Sequence, residues 1–341
     1  MTKMKTIFAI IFLALLIPVL LAAPESEAKV YRGKCKSNLT WSYDSKTKTM
    51  VIDCKGDMPD DEQFYDLDMG WRKYYFKTKK VIFKKGISSI GAGAFYNFQK
   101  LEEVVLPEGL RIIKYDAFDG CRKLQFINKP STLEVIEKDV FWDVKIKSIS
   151  LKKLKKLGSE CFSGAKLQSV DIPAKCKIED SVFWSCKKLK KVTFEKGVKR
   201  ISYGMFRETG IKNIDIPGSV AQIGTYAFAN CQSLKKATIN EGVKKISKDA
   251  FSNTALEEIT IPSTVTELGK NAFRWESTEK SSLKKVVIRS KNIKKWGTMV
   301  FGATRDDLVI YVPQSKKAEY EKILRSTNGL DFHAKIVGKK W

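Results

Sequence analysis

Few side chains in this 341-residue chain have the types and spacing that chemistry needs. The single histidine, His333, lies in DFHAKIV near the C-terminus, so the chain cannot by itself assemble a His-dependent nucleophile relay or a His-rich zinc site. Seven cysteines occur without one CxxC pair, which argues against a thiolate metal centre. Paired carboxylates are present at Asp60-Asp61-Glu62, Glu102-Glu103 and Glu257-Glu258, and two converging carboxylates can hydrolyse a glycosidic bond. Adjacent residues of a strand point to opposite faces, however, so these pairs read as solvated charge. No P-loop, zincin, nucleophile-elbow or Rossmann glycine string occurs. The chain reads as a non-enzyme, with no catalytic residue, no metal site and no cofactor.

The elements that hold the remaining side chains are set by an internal repeat. Phe95, Phe118, Phe141, Phe162, Phe183, Phe206, Phe228, Phe251, Phe273 and Phe301 follow one another at spacings of 21 to 28 residues. After most of them comes an apolar string such as LEEVVL from Leu101, LKKVTF from Leu189 or LEEITI from Leu256. Apolar first, fourth and sixth places suit a short strand whose alternate side chains enter a core. A turn with Pro or an EG or KG pair follows, then a second apolar segment (VKRI from Val198, VAQI from Val220) that leads to the next Phe. One unit of about 22 residues cannot bury both of its faces, so neighbours must stack into a solenoid with the Phe column as its spine. Cys121, Cys186 and Cys231 follow their Phe by three places, two or three layers apart. At one strand spacing per layer they are too distant to pair and read as small buried residues. The partners of Cys161 and Cys176 stay open.

LEEVVLPEGLRIIKYDAFDGCRKL (Leu101 to Leu124) and IKNIDIPGSVAQIGTYAFANCQSL (Ile211 to Leu234) resemble the repeat of the BspA-like leucine-rich repeat family, exported surface proteins of bacteria and some protists. The resemblance implies a mainly β repeat solenoid of about ten units over residues 81–312, with attachment to other surfaces as its role. Residues 29–80 read as an N-terminal cap whose hairpin runs LTWSY and TMVID resemble the family's entry cap. Cys35 and Cys54 bracket that hairpin, and an oxidising compartment would preserve a bridge between them. The alternative is two unrelated thiols, because Cys54 stands where the family more often has a small residue. Residues 313–341 read as a C-terminal cap, with Ala318, Tyr320, Ile323 and Leu324 on one face of a short helix.

Lys3 and Lys5 precede the uncharged run Ile7 to Ala23, the pattern of a secretory signal peptide over residues 1–28 with cleavage after Ala28. An uncleaved anchor is the competing reading, which Pro18 inside the run weakens. No later segment is apolar for long enough to cross a membrane, so an extracellular or surface-associated protein is expected. Asn38-Leu39-Thr40 would accept a glycan in a eukaryote. The formal charge is +25, from 63 Lys plus Arg against 38 Asp plus Glu. Lys191, Lys236 and Lys285 occupy the outward place of the strand motif, beside Thr193, Thr238 and Val287, in a row interrupted by Asn213 and Glu258. These residues (Lys191, Thr193, Lys236, Thr238 and Lys285) form the candidate ligand face. It suits host or neighbouring-cell proteins, matrix or acidic glycans, and no specific nucleic acid. A Lys-rich composition that fills every solvent position with Lys accounts for the same row.

Overall fold

The computed structural model describes residues 28–35, 38–61, 69–276, 281–302, 305–327, 330 and 333–341. The signal peptide expected over residues 1–28 falls, but for Ala28, outside them, as does Glu62. The chain forms a mainly β solenoid of about 11 turns with one helix near its C-terminus. Each regular turn contributes a longer strand to one side and a two-residue strand to the other. Successive turns pair in parallel, as in Val170 with Val192, Ile214 with Ala237 and Val286 with Ile310. The apolar spacing of the sequence explains the burial: along Lys191–Phe194 and Lys236–Ile239 exposed and buried residues alternate, so each strand gives one face to the core and one to water.

Inside, the ten repeat phenylalanines form one continuous stack from Phe95 to Phe301. Adjacent rings lie 5.1 to 5.9 Å apart and within 18° of parallel. One layer of chain per ring fixes that distance, since it is the strand spacing with a slight offset. The corner around most of the rings has left-handed backbone on both sides. Ser181 and Ser185 flank Phe183, Tyr226 and Asn230 flank Phe228, and Asp249 and Asn253 flank Phe251, all with φ between 53° and 59°. The cysteines three places after the Phe do more than fill space. The Sγ of Cys121, Cys186 and Cys231 donates to the carbonyl of Phe95, Phe162 and Phe206 in the preceding turn, at 3.2, 3.0 and 3.0 Å.

Ahead of the solenoid, where the cap is expected, lies a three-stranded antiparallel sheet of β1 (Val30–Cys35), β2 (Leu39–Asp44) and β3 (Thr49–Cys54). Its last strand pairs in parallel with Lys80–Phe83 and so passes the hydrogen-bond ladder to the solenoid. The register bears on the bridge expected between Cys35 and Cys54. Leu39 stands opposite both, so a full strand lies between them. Two strand spacings are about 10 Å, beyond the Cα reach of a disulfide, and the thiol of Cys35 instead meets the Met69 sulfur at 3.5 Å. Cys121, Cys161, Cys176, Cys186 and Cys231 are unbonded thiols. At the other end α1 (Lys317–Thr327) buries Tyr320 and Leu324, while Ala318 is exposed. The Tyr320 hydroxyl donates to the Ser290 carbonyl at 3.2 Å, and its ring meets Trp296 edge-on. A final strand, Lys335–Lys339, pairs with Val309–Pro313 and closes the stack. Among the described residues no helix is long and apolar enough to cross a membrane.

Candidate functional site: the exposed strand face and the corner face

The outward row of the longer strands runs through Ser169, Lys191, Asn213, Lys236, Glu258 and Lys285, one residue per turn, because equal register stacks equal positions. All five expected ligand residues lie on this face: Lys191 and Thr193 on one strand, Lys236 and Thr238 on another, and Lys285 on a third, each exposed. The structure also brings in acids that the lysine pattern hid. Thr193 hydrogen-bonds Asp171, Asn240 donates to Asp215 at 2.7 Å, and Lys285 pairs with Glu258 at 3.2 Å. Lys191 and Lys236 have no ion pair among the described residues. The face is therefore a mixed polar surface with two open ammonium groups rather than a uniformly basic one.

The side of the short strands neutralises its lysines more fully. Glu134 is shared by Arg111 and Lys155 at 3.1 and 2.8 Å, and Glu267 by Lys295 and Lys245 at 3.0 and 3.2 Å. Hydrogen bonds from these cations hold both carboxyls below the usual range. The paired acids are taken up by cations. Asp60 goes to Lys114 at 2.8 Å, Glu103 to Lys80 at 3.0 Å and Glu258 to Lys285. Among the described residues no group of three His, Cys, Asp or Glu is placed to hold a metal ion. His333 is exposed.

A feature absent from the sequence reading lies at the Phe corners of the turns from Tyr203 to Glu276. A polar cavity of about 390 Å³ is lined there by Tyr203, Arg207, Tyr226, Asn253 and Asn271 among others. A neighbouring one of about 590 Å³ is lined by Lys187, Glu208, Thr209 and Gln232, and Asn230 borders both. Arg207 is sandwiched between the Trp184 and Tyr226 rings at 5.7 and 5.5 Å. Aligning the places just before and after each Phe would have shown Tyr203, Arg207, Tyr226 and Asn230 gathering, but only packing shows that they enclose space.

Parallel strand rows, one aromatic stack and wide polar faces define a leucine-rich repeat scaffold, a class whose members present surfaces. The BspA type leucine rich repeat region, in 6 copies, matches residues 73–190 and 157–280, and the chain belongs to that family. A leucine-rich repeat protein from Eubacterium ventriosum is similar in structure, with TM-score 0.58, 20% identity, and 83% of this chain and 84% of that chain covered. One from Bacteroides ovatus has TM-score 0.57 and 22% identity, with 89% of each chain covered. These likenesses carry the fold alone. No curated protein matches the chain.

Proposed function

We propose that the chain is a secreted or cell-surface binding protein that attaches to proteins or glycans of a host or neighbouring cell through its strand face. The observation that carries this reading is the one-per-turn row containing Lys191 and Lys236. Both side chains are exposed and without an ion pair among the described residues, with Thr193 and Thr238 two residues along the same strands. Family membership and the N-terminal signal pattern support export and attachment. Mixed charge favours a partner recognised by shape and paired hydrogen bonds rather than by net charge. Retention on immobilised matrix proteins and on heparin is measured from 0.05 to 1 M salt. Binding to one of them should survive high salt and be lost when Lys191, Lys236 and Lys285 are all changed to Glu. If all retention vanishes by physiological salt, the second reading holds, a non-specific polyanion binder driven by the +25 charge.

A further inference from the structure

The corner cavity between Tyr203 and Glu276 has the chemistry of a sugar site, on a different side of the solenoid from the strand face. Its wall stacks the Tyr226 ring between two cations, Arg207 at 5.5 Å and the Lys248 ammonium at 5.7 Å from the ring centroid, and Trp184 backs Arg207 from behind. Tyr203 meets Tyr226 edge-on at 5.6 Å and 80°, an arrangement that leaves its own ring 43% exposed at the cavity. An exposed aromatic face is apolar with a polar tip, which suits the CH face of a pyranose.

The other walls offer groups that want hydroxyl partners. Asn271 is only 6% exposed and lines the cavity, yet its Oδ1 makes no hydrogen bond. An orphaned buried acceptor is costly, and native structures resolve such groups with a bound partner. The Asn253 amide donates to the Asn230 Oδ1 at 3.0 Å, which orients Asn230 at the boundary of the two cavities and leaves its NH2 without a hydrogen bond among the described residues. Neutral amides that can both donate and accept match vicinal hydroxyls.

Charge then selects among sugars. Lys270 lines the same cavity with no ion pair among the described residues, and Lys248 has its carboxylate, Asp249, at 3.8 Å. Arg207 is paired with Glu208 at 3.2 Å, so Lys270 is the cation at the site that remains for an anionic group. We infer that the corner cavity binds a carboxylate-bearing sugar, a sialic or uronic acid unit. The ring lies on Tyr203, the hydroxyls meet Asn230 and Asn271, and the carboxylate meets Lys270. The cavity beyond Asn230 accommodates the next sugar, and a volume of about 390 Å³ is within the range of small-molecule sites.

The inference does not depend on the strand-face reading. Calorimetric titration of the mature chain with 3′-sialyllactose, a glucuronic acid disaccharide and lactose tests it. At least one acidic sugar should bind at least ~10-fold tighter than lactose. Tyr203→Ala, Lys270→Ala and Asn271→Ala should each weaken that binding by ~10-fold or more, whereas Lys191→Glu with Lys236→Glu should leave it unchanged. Tyr203 and Lys270 lie at the surface, so circular dichroism should show both variants folded. The proposal is overturned if no sugar binds at millimolar concentration, if lactose binds equally well, or if binding survives the combined Tyr203→Ala and Lys270→Ala change. Failure of the strand-face variants to alter matrix attachment would refute only the first reading.

Discussion

Truncating one ring in the middle of the aromatic stack should divide the solenoid. Phe183 is fully buried and stacks on Phe162 at 5.9 Å and on Phe206 at 5.7 Å, within 7° of parallel on both sides. Phe183→Ala removes the ring's burial and leaves a cavity, a loss of about 3 to 5 kcal/mol. That figure already contains two stacked pairs of roughly 0.5 to 1.5 kcal/mol each. A whole domain is commonly stable by only about 5 to 15 kcal/mol. In an array where each turn contacts only its neighbours, the loss falls on two adjoining interfaces and cannot be shared along the chain. Phe183→Leu keeps most of the volume and should cost under about 1.5 kcal/mol. Urea unfolding followed by far-UV circular dichroism should therefore give a lowered midpoint for Leu. For Ala it should give a broadened or two-step transition, with amide exchange accelerated first around residues 162–206. If Phe183→Ala shifts stability by less than about 1 kcal/mol, or accelerates exchange uniformly from cap to cap, the stack is not the spine of the fold.

The buried thiols should resist alkylation. Burial pushes the Cys186 thiol up to about 12 and the Cys176 and Cys231 thiols up to about 11, so labelling of the folded chain with iodoacetamide at pH 8, read by mass, should spare Cys186 and Cys231. Cys231→Val should lose the bonds to the Phe206 carbonyl and Thr209, about 1 kcal/mol by denaturation. The corner acids give a pH dependence. Desolvation, then neighbouring carboxylates, raises Asp119 to about 7 and Asp116 to about 6, so their contribution is fully present below the unfolded value of 3.8 and is lost as pH rises through about 6 to 7. Glu134 and Glu267 are depressed, so theirs is lost as pH falls below the ordinary carboxylate range. Thermal stability should therefore peak near pH ~5, and Asp119→Asn should stabilise at pH 8 by about 1 kcal/mol, after allowance for solvent screening, and not at pH 4. An unchanged Tm at pH 8 would refute the assignment. Gly224→Ala places a Cβ 2.6 Å from the Ile201 carbonyl oxygen of the preceding turn, and thermal or urea unfolding should register about 1 to 3 kcal/mol of overpacking; a neutral result would mean that the turns are less tightly seated.

The sequence was most legible where one physical demand repeats. A Phe every 21 to 28 residues and an LxxVxI string can be satisfied only by stacking, so the solenoid, its aromatic spine and the outward places of Lys191, Lys236 and Lys285 follow from pattern and burial. The entry cap shows where pattern runs out. Cys35 and Cys54 bracket a hairpin in the sequence, but a third strand in the sheet sets the register, and it puts Leu39 between them.

Period and composition determined which positions face water; they did not determine what each meets there. That Asp171 holds Thr193 and Glu258 holds Lys285, while Lys191 and Lys236 have no ion pair among the described residues, depends on contacts between residues 22 and 27 places apart. The same is true of the corner cavity. Tyr203, Arg207, Asn230, Asn253 and Asn271 are unremarkable one by one, and they surround a single space because the turns of Phe206, Phe228, Phe251 and Phe273 are stacked in consecutive layers. Burial is a property of the residue type and its periodicity, so the chain alone specifies it. Charge pairing and enclosed volume are properties of neighbours across turns, and only the stacked structure decides them.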